Sequence, residues 1–399
     1  MWWTRKHSKP TEPADAGDDG DDGSVPTETV SEHRNAFILL GLGGAAIATF
    51  GLAAIAGIFG PVFFALVLTI CVHPLRVLLE RRGVPRGIAT GSVILAVTIL
   101  LVGFGYLVLV AFSQFAELLP TFSAEISAFG QEVAKWLATI GINADELHNF
   151  FANFDPSSLI GVLGGVVGGL TGTITFLVII FTMLLLMAMD AGFIPTLFRQ
   201  LYPTRPLVVT SLIGYGSNVR RYMVVTTVLG VAQGVVNWIA LLILQVPGAF
   251  IWGLLAFVCS FIPNIGYFIA IIPPIVFGGL VGGWPTVIAV IVVYGVINAV
   301  IQSVIQPRVV GRAVSLSQTI TFFSVLFWAV VIGPIGAILA IPLSLLVRLM
   351  LVDTNPRMAW IRPMLGELDE AKEVMAEVDA EYKAARKTRK AEKVRSNSA

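Results

Sequence analysis

Uncharged side chains that can hydrogen-bond recur at helical spacing inside otherwise apolar sequence. Tyr294, Asn298, Gln302 and Gln306 stand four residues apart, and Thr226, Gln233 and Asn237 align with Gly230 and Gly234 between them. In lipid such groups are costly unless they face protein or water. Two readings are open: the stripes are polar walls of a solute path, or they are amides that join helix to helix. Asn264 is more specific, because it lies in FIPNIG, a Pro-Gly interruption of an apolar tract that includes Pro263 and Gly266. Backbone unwound there would offer N–H and C=O groups to a solute. Gly333, Pro334 and Gly336 interrupt a second tract in the same manner, in VIGPIG. Catalysis is not indicated. The four histidines lack metal-ligand spacing, no Gly-rich loop ends in Lys-Ser/Thr, and Cys71 and Cys259 read as free thiols in apolar segments. The expectation is a chain that is no enzyme, has no catalytic residues, and uses no metal, cofactor or nucleic acid.

The elements that must position these residues are membrane helices. Apolar residues make up 56% of the chain and charged ones 13%, against about 45–50% and 25% in soluble domains. From Tyr222 to Pro307 there is no Asp, Glu, Lys, Arg or His. The fold class expected is all-α, a polytopic membrane helix bundle. About 20 apolar residues cross the hydrocarbon core, and Ala36 to Ile58, Pro61 to Leu79, Ile88 to Phe112, Val162 to Met189, Met223 to Val246 and Trp284 to Ile305 satisfy this. Gly248 to Val281 and Ile320 to Val347 are each interrupted near the middle by Pro and Gly.

Five regions follow from this pattern: a disordered tail over 1–35, three membrane helices over 36–112, an external amphipathic segment over 113–161, a transport region with broken helices over 162–352, and a charged tail over 353–399. The first apolar segment begins too late for a signal peptide. In the external segment Phe115, Leu119, Phe122, Ile126, Phe129, Val133, Trp136 and Ile140 recur at steps of three and four, the period of an amphipathic helix. Gly161, Gly165 and Gly169 form a small-xxx-small series suited to close helix packing.

Charge sets the orientation, since Lys and Arg concentrate on the cytoplasmic side. Arg76, Arg81, Arg82 and Arg86 mark one cytoplasmic loop, Arg220 and Arg221 a second, Arg308 and Arg312 a third. The acidic segment around Lys135 suits the outside, and both termini fall inside. An even number of crossings must separate Arg221 from Arg308. Two simple spans supply it, so Gly248 to Val281 should enter and leave by one face. The same count applies to Ile320 to Val347, bounded by Arg312 and Arg348. Both tracts read as re-entrant hairpins beside six spans, with eight simple spans as the competing topology. At an offset of 70, Phe257 aligns with Phe327, Gly266 with Gly336 and Ala270 with Ala340, and QGVVN precedes one break as YGVIN precedes the other. This is the pattern of a helix-plus-hairpin unit repeated with inverted topology.

Taken together, HPLRVLLERRGVPR (His73 to Arg86), NVRRYM, WGLLAFVCSFIPNIG with its IIPP continuation, QPRVVGRAVSLS and GPIGAILAIPL resemble the autoinducer-2 exporter family over about Ala36 to Met350. Gln318 stands where many members carry Pro. The resemblance implies an inner-membrane permease that exports a small polar signal or metabolite such as autoinducer-2 by secondary or facilitated transport. Membrane lipid and that solute would be its partners, and a homo-oligomer its assembly. Two alternatives stay open at this stage: a sodium (cation)/proton antiporter, disfavoured by the absence of a carboxylate from Tyr222 to Pro307, and a non-transporting membrane scaffold, which would have no need of broken helices.

Overall fold

The computed structural model describes residues 28–122, 170–306 and 316–366, with positions 124–126, 128, 131 and 308 between them. Lys135, Gly161, Gly165, Gly169, Arg312 and most of both terminal tails lie outside the described residues. All regular elements among the described residues are helical.

The chain divides into two units, residues 1–51 and 52–399. The first contributes most of α1 (Glu28–Ala54), whose Leu39, Leu40, Ile47 and Phe50 are exposed, as a lipid-facing helix requires. In the second, α2 (Ala56–Arg81) and α3 (Arg86–Thr121) are both long enough to cross a bilayer. α3 continues without interruption past Phe112, so the opening turns of the amphipathic segment belong to the span itself. α4 (Leu170–Asp190) and α5 (Ile194–Leu201) meet at a 54° bend. Along α2 and α4 the contacts advance together, from Phe64 on Phe176 to the Arg76 guanidinium on the Ala188 carbonyl. The two helices therefore run parallel, as spans separated by one crossing must.

α6 (Pro206–Ile243) has 38 residues, about 57 Å at 1.5 Å per residue, well beyond the hydrocarbon core of about 30 Å. Its buried positions, Val219, Tyr222, Met223, Thr226, Gly230, Gln233, Gly234, Asn237 and Leu241, follow a three- and four-residue step and mark one packed face. α7 (Ala249–Cys259) folds back along that face. With 11 residues it is about 16 Å long, half a bilayer.

α8 (Gly266–Asn298) returns from the α7 tip and breaks at Gly283, where φ is 61° and ψ is −158°. A Cβ at Gly278 would lie 3.2 Å from the Thr286 methyl, 3.4 Å from a Val290 methyl and 3.5 Å from Val246. In a straight helix residues twelve apart are about 18 Å distant, so the chain reverses at Gly283. Residues 246–282 thus form a hairpin that starts and finishes at the same end of α6, and 284–298 run on from its base. The tract Gly248 to Val281 doubles back, as a hairpin does. Among the described residues four helices are long and apolar enough to cross a membrane, or five with the bent α4–α5 pair; α8 is one of the four although its two halves lie antiparallel. Leu39–Ala54 supplies a shorter apolar helix.

A π-helical stretch (Ala299–Ile305) continues α8. α9 (Gln318–Ile332) is capped by Ser317, whose Oγ accepts from the Ile320 N–H at 3.3 Å. Gln318 is the first helical residue, a position where Pro is also well tolerated, so the departure from the family pattern leaves this turn intact. α9 ends at Gly333 (φ 86°, ψ −160°), and α10 (Pro334–Ile338) and α11 (Ala340–Arg348) run back along it. Trp328 Nε1 donates to Ser344 Oγ at 3.0 Å, tying the two arms together. A second π stretch (Leu349–Asp353), a 3₁₀ turn (Pro356–Ile361) and α12 (Arg362–Leu365) follow. The Ser211 hydroxyl donates to the Asp353 carbonyl at 3.0 Å, which places the base of this second hairpin at the beginning of α6. The first hairpin has its base at the end of α6. The two enter from opposite ends.

Candidate functional site

The site is assembled where the hairpin tips converge. At the first tip, Asn264 is exposed and takes a left-handed backbone, φ 63°. The turn is closed by Ile262 N–H to the Cys259 carbonyl at 3.0 Å, Ile265 N–H to Pro263 at 2.7 Å and Gly266 N–H to Ile262 at 3.0 Å. Much of the unwound backbone is therefore committed inside the turn, and the Asn264 side chain is the more available polar group. At the second tip the break is a single residue, Gly333, with Pro334 exposed. Phe261, Ile262 and Ile265 of the first tip pack on the same cluster as Val331, Ile332 and Ile335 of the second, together with Phe63, Val67, Tyr222 and Met223. α2 closes on this junction, since a Cβ at Gly60 would stand 3.3 Å from Ile332 and 3.7 Å from Ile335.

Gly266 and Gly336 begin the returning arms, and at each a Cβ would collide with a carbonyl oxygen of the outgoing arm, Cys259 in the first hairpin and Trp328 in the second. The pair aligned at offset 70 is structurally equivalent. The tips are not identical, however: the left-handed residue is Asn264 in one and Gly333 in the other.

The α6 stripe lies against α7. A Cβ at Gly234 would be 2.8 Å from the Gly253 carbonyl oxygen, so these glycines set the closest approach of the two helices. Ser260 Oγ donates to Gln233 Oε1 at 3.4 Å, joining α6 to the first tip. Asn237 is 0% exposed, and its amide oxygen and nitrogen have no hydrogen-bond partner among the described residues. The Tyr294 hydroxyl is likewise buried and unsatisfied, as is Asn298 Oδ1. A buried polar group left unpaired costs about 1–3 kcal/mol. Gln302 and Gln306 are half-buried, and Gln302 sits in the π stretch, a distortion that concentrates at functional positions. The sequence brings Tyr294, Asn298 and Gln302 to an inward side of their helix but gives no sign of the π stretch.

The basic residues gather away from the tips. Arg76 pairs with Glu80 at 2.9 Å and donates through Nη1 to the Ala188 carbonyl at 3.1 Å, capping the last turn of α4. Arg220 is half-buried and its charge acts on His73 and Cys71. Arg81, Arg82, Arg86, Arg221 and Arg308 are exposed. The sequence did not reveal two pairings. Phe115 and Phe122 of the α3 extension meet Trp252 and Phe277 edge to face over the base of the first hairpin, at centroid distances of 5.8–6.4 Å. Arg348 is buried and pairs with Asp353 at 3.3 Å.

Residues 36–354 match the family described as AI-2E family transporter. The chain belongs to this family. The AI-2 transport protein TqsA of Escherichia coli strain K12 is 30% identical over 324 residues, covering 79% of this chain and 92% of TqsA. YhhT of the same strain is 25% identical over 318 residues, 80% of this chain and 91% of YhhT. A Haemophilus influenzae relative is 24% identical over 339 residues, 84% of this chain and 97% of its own length. As an AI-2E family member with apolar spans, this chain is a multi-pass membrane permease. The family is a class of transporters, not of enzymes.

Proposed function

We propose that the chain carries a small, polar, mainly uncharged solute outward across the inner membrane, an exported signal of the autoinducer-2 kind, by secondary or facilitated transport. In this reading the two hairpin tips are the gate, Asn264 and the half-buried amides of Asn298 and Gln302 supply contacts, and both termini lie in the cytoplasm. The homo-oligomer that family resemblance suggests would surround, not form, this path. The observation that carries the reading is the convergence of two hairpins from opposite ends of α6 on one cluster, in a region where Tyr222 to Pro307 bears no charge. A solute with a full charge would find no counter-ion along that wall. The name of TqsA, a relative of nearly the same extent, supports the AI-2 assignment. The test is purified protein in liposomes with a solute panel, with and without pH and sodium gradients. Uptake of neutral hydroxylated solutes, insensitive to sodium, is expected; sodium-for-proton exchange without solute flux would overturn the proposal.

A further inference from the structure

The second hairpin encloses space between its arms. A groove of about 250 Å³ lies there, and its wall includes Ile320, Phe323 and Ser324 of α9, Ser344 and Arg348 of α11, and Leu351. Its chemistry is divided along its length. Toward the base stands the Arg348 guanidinium, buried and held by Asp353 Oδ1 through Nε at 3.3 Å and Nη2 at 3.4 Å. One turn deeper is Ser344, with Ser324 on the facing arm. The mouth is apolar: Phe323 is 65% exposed and Leu351 62%, and Met350 beside it 67%. On a membrane-crossing molecule these side chains meet acyl chains, so the groove opens sideways to lipid.

Depth fixes what could sit there. Arg348 lies fifteen residues past the reversal at Gly333, about 20 Å along the returning arm. The tip meets a first hairpin whose α7 arm is about 16 Å long, near the bilayer middle. Arg348 is thereby set at the level where headgroups begin, about 15–22 Å from the middle. An anion at that depth has a guanidinium fork suited to phosphate oxygens and two hydroxyls within the same groove. The first hairpin has nothing comparable, because Gly278 stands where offset 70 would place Arg348.

We propose that this groove holds one phospholipid with an anionic headgroup, its phosphate at Arg348 beside Ser344 and Ser324 and one acyl chain along Ile320, Phe323 and Leu351. The site is independent of which solute is moved.

The test uses the full chain, purified in detergent and stripped of lipid. Native mass spectrometry and melting are followed with phosphatidylglycerol, with phosphatidylcholine of the same acyl chains, and with glycerol 3-phosphate. One retained phosphatidylglycerol per chain, with a saturable rise in Tm, is expected. R348Q/D353N, which removes the guanidinium without stranding a carboxylate, and S324L, which fills the groove and leaves the ion pair, should each weaken that binding by about tenfold or more. Should the double variant fail to fold, S324L decides alone. Equal retention of phosphatidylcholine, or unchanged phosphatidylglycerol binding in the folded variants, overturns the proposal. The same Tm rise from glycerol 3-phosphate also overturns it and assigns the groove to a soluble anion.

Discussion

At Gly266 and Gly336 the absent side chain is a steric requirement, because the space a Cβ would take is filled by a backbone carbonyl that cannot rotate away. Gly266→Val and Gly336→Val should each lower transport by more than about tenfold, since overpacking of this kind costs about 1–3 kcal/mol or more and must be relieved by spreading the arms. Gly91, with nothing within 4 Å, is the control and should tolerate Val. Gly278 is not a neutral comparison, since it lies at the second reversal against Thr286 and Val290. Asn237 makes a different prediction. With no partner for either amide atom among the described residues, Asn237→Leu should raise the melting temperature, reflecting relief of about 1–3 kcal/mol, while slowing transport if the amide serves a state in which the first hairpin has moved. A melting temperature that falls would instead identify Asn237 as a structural bond between helices. Which residues matter at the breaks was legible from Pro and Gly within uncharged tracts. That Asn237 and Tyr294 are unsatisfied was not, because a four-residue period shows a face and not what lies opposite it.

At the scale of elements, both hairpins depend on sharp reversals, and two of these use glycine in the same extended, positive-φ conformation, Gly283 (φ 61°, ψ −158°) and Gly333 (φ 86°, ψ −160°). Other residues are essentially excluded there, so Gly283→Ala and Gly333→Ala should each lower stability by about 1–3 kcal/mol, measured by thermal unfolding in detergent. Wild-type melting for both would mean the chain does not reverse at these points. The reversal at Gly333 was anticipated from VIGPIG. The one at Gly283 was not separated from its surroundings, because a parity count requires a turn somewhere before Trp284 without saying where. That each tract doubles back was thus readable from its Pro-Gly interruption, and tip geometry was not: the tip packs against Tyr222, Met223 and Val331, contacts remote in sequence. The α3 extension was hidden for a related reason. Its Phe115 and Phe122 read as one edge of an amphipathic helix, yet they complete an aromatic cluster whose other members, Trp252 and Phe277, lie more than a hundred residues away.

For the whole molecule, the proposed orientation requires Arg82, Arg205 and Arg308 all to face the cytoplasm. Single cysteines at these positions, in a background lacking Cys71 and Cys259, should label only from the inside, and a cysteine at Lys135 only from the outside. External labelling at Arg308 would break the parity that makes the hairpins re-entrant. The claim on which the rest depends is that the two tips meet and must separate for solute to pass. Ile265 and Ile335 share one cluster, and cysteines at both positions, again without Cys71 and Cys259, bring that claim to a single measurement: solute flux in liposomes before crosslinking, after a short bifunctional reagent, and after release of the link. The account predicts efficient crosslinking, loss of nearly all flux, and recovery when the link is cleaved. A fully crosslinked protein that transports at the original rate would contradict it.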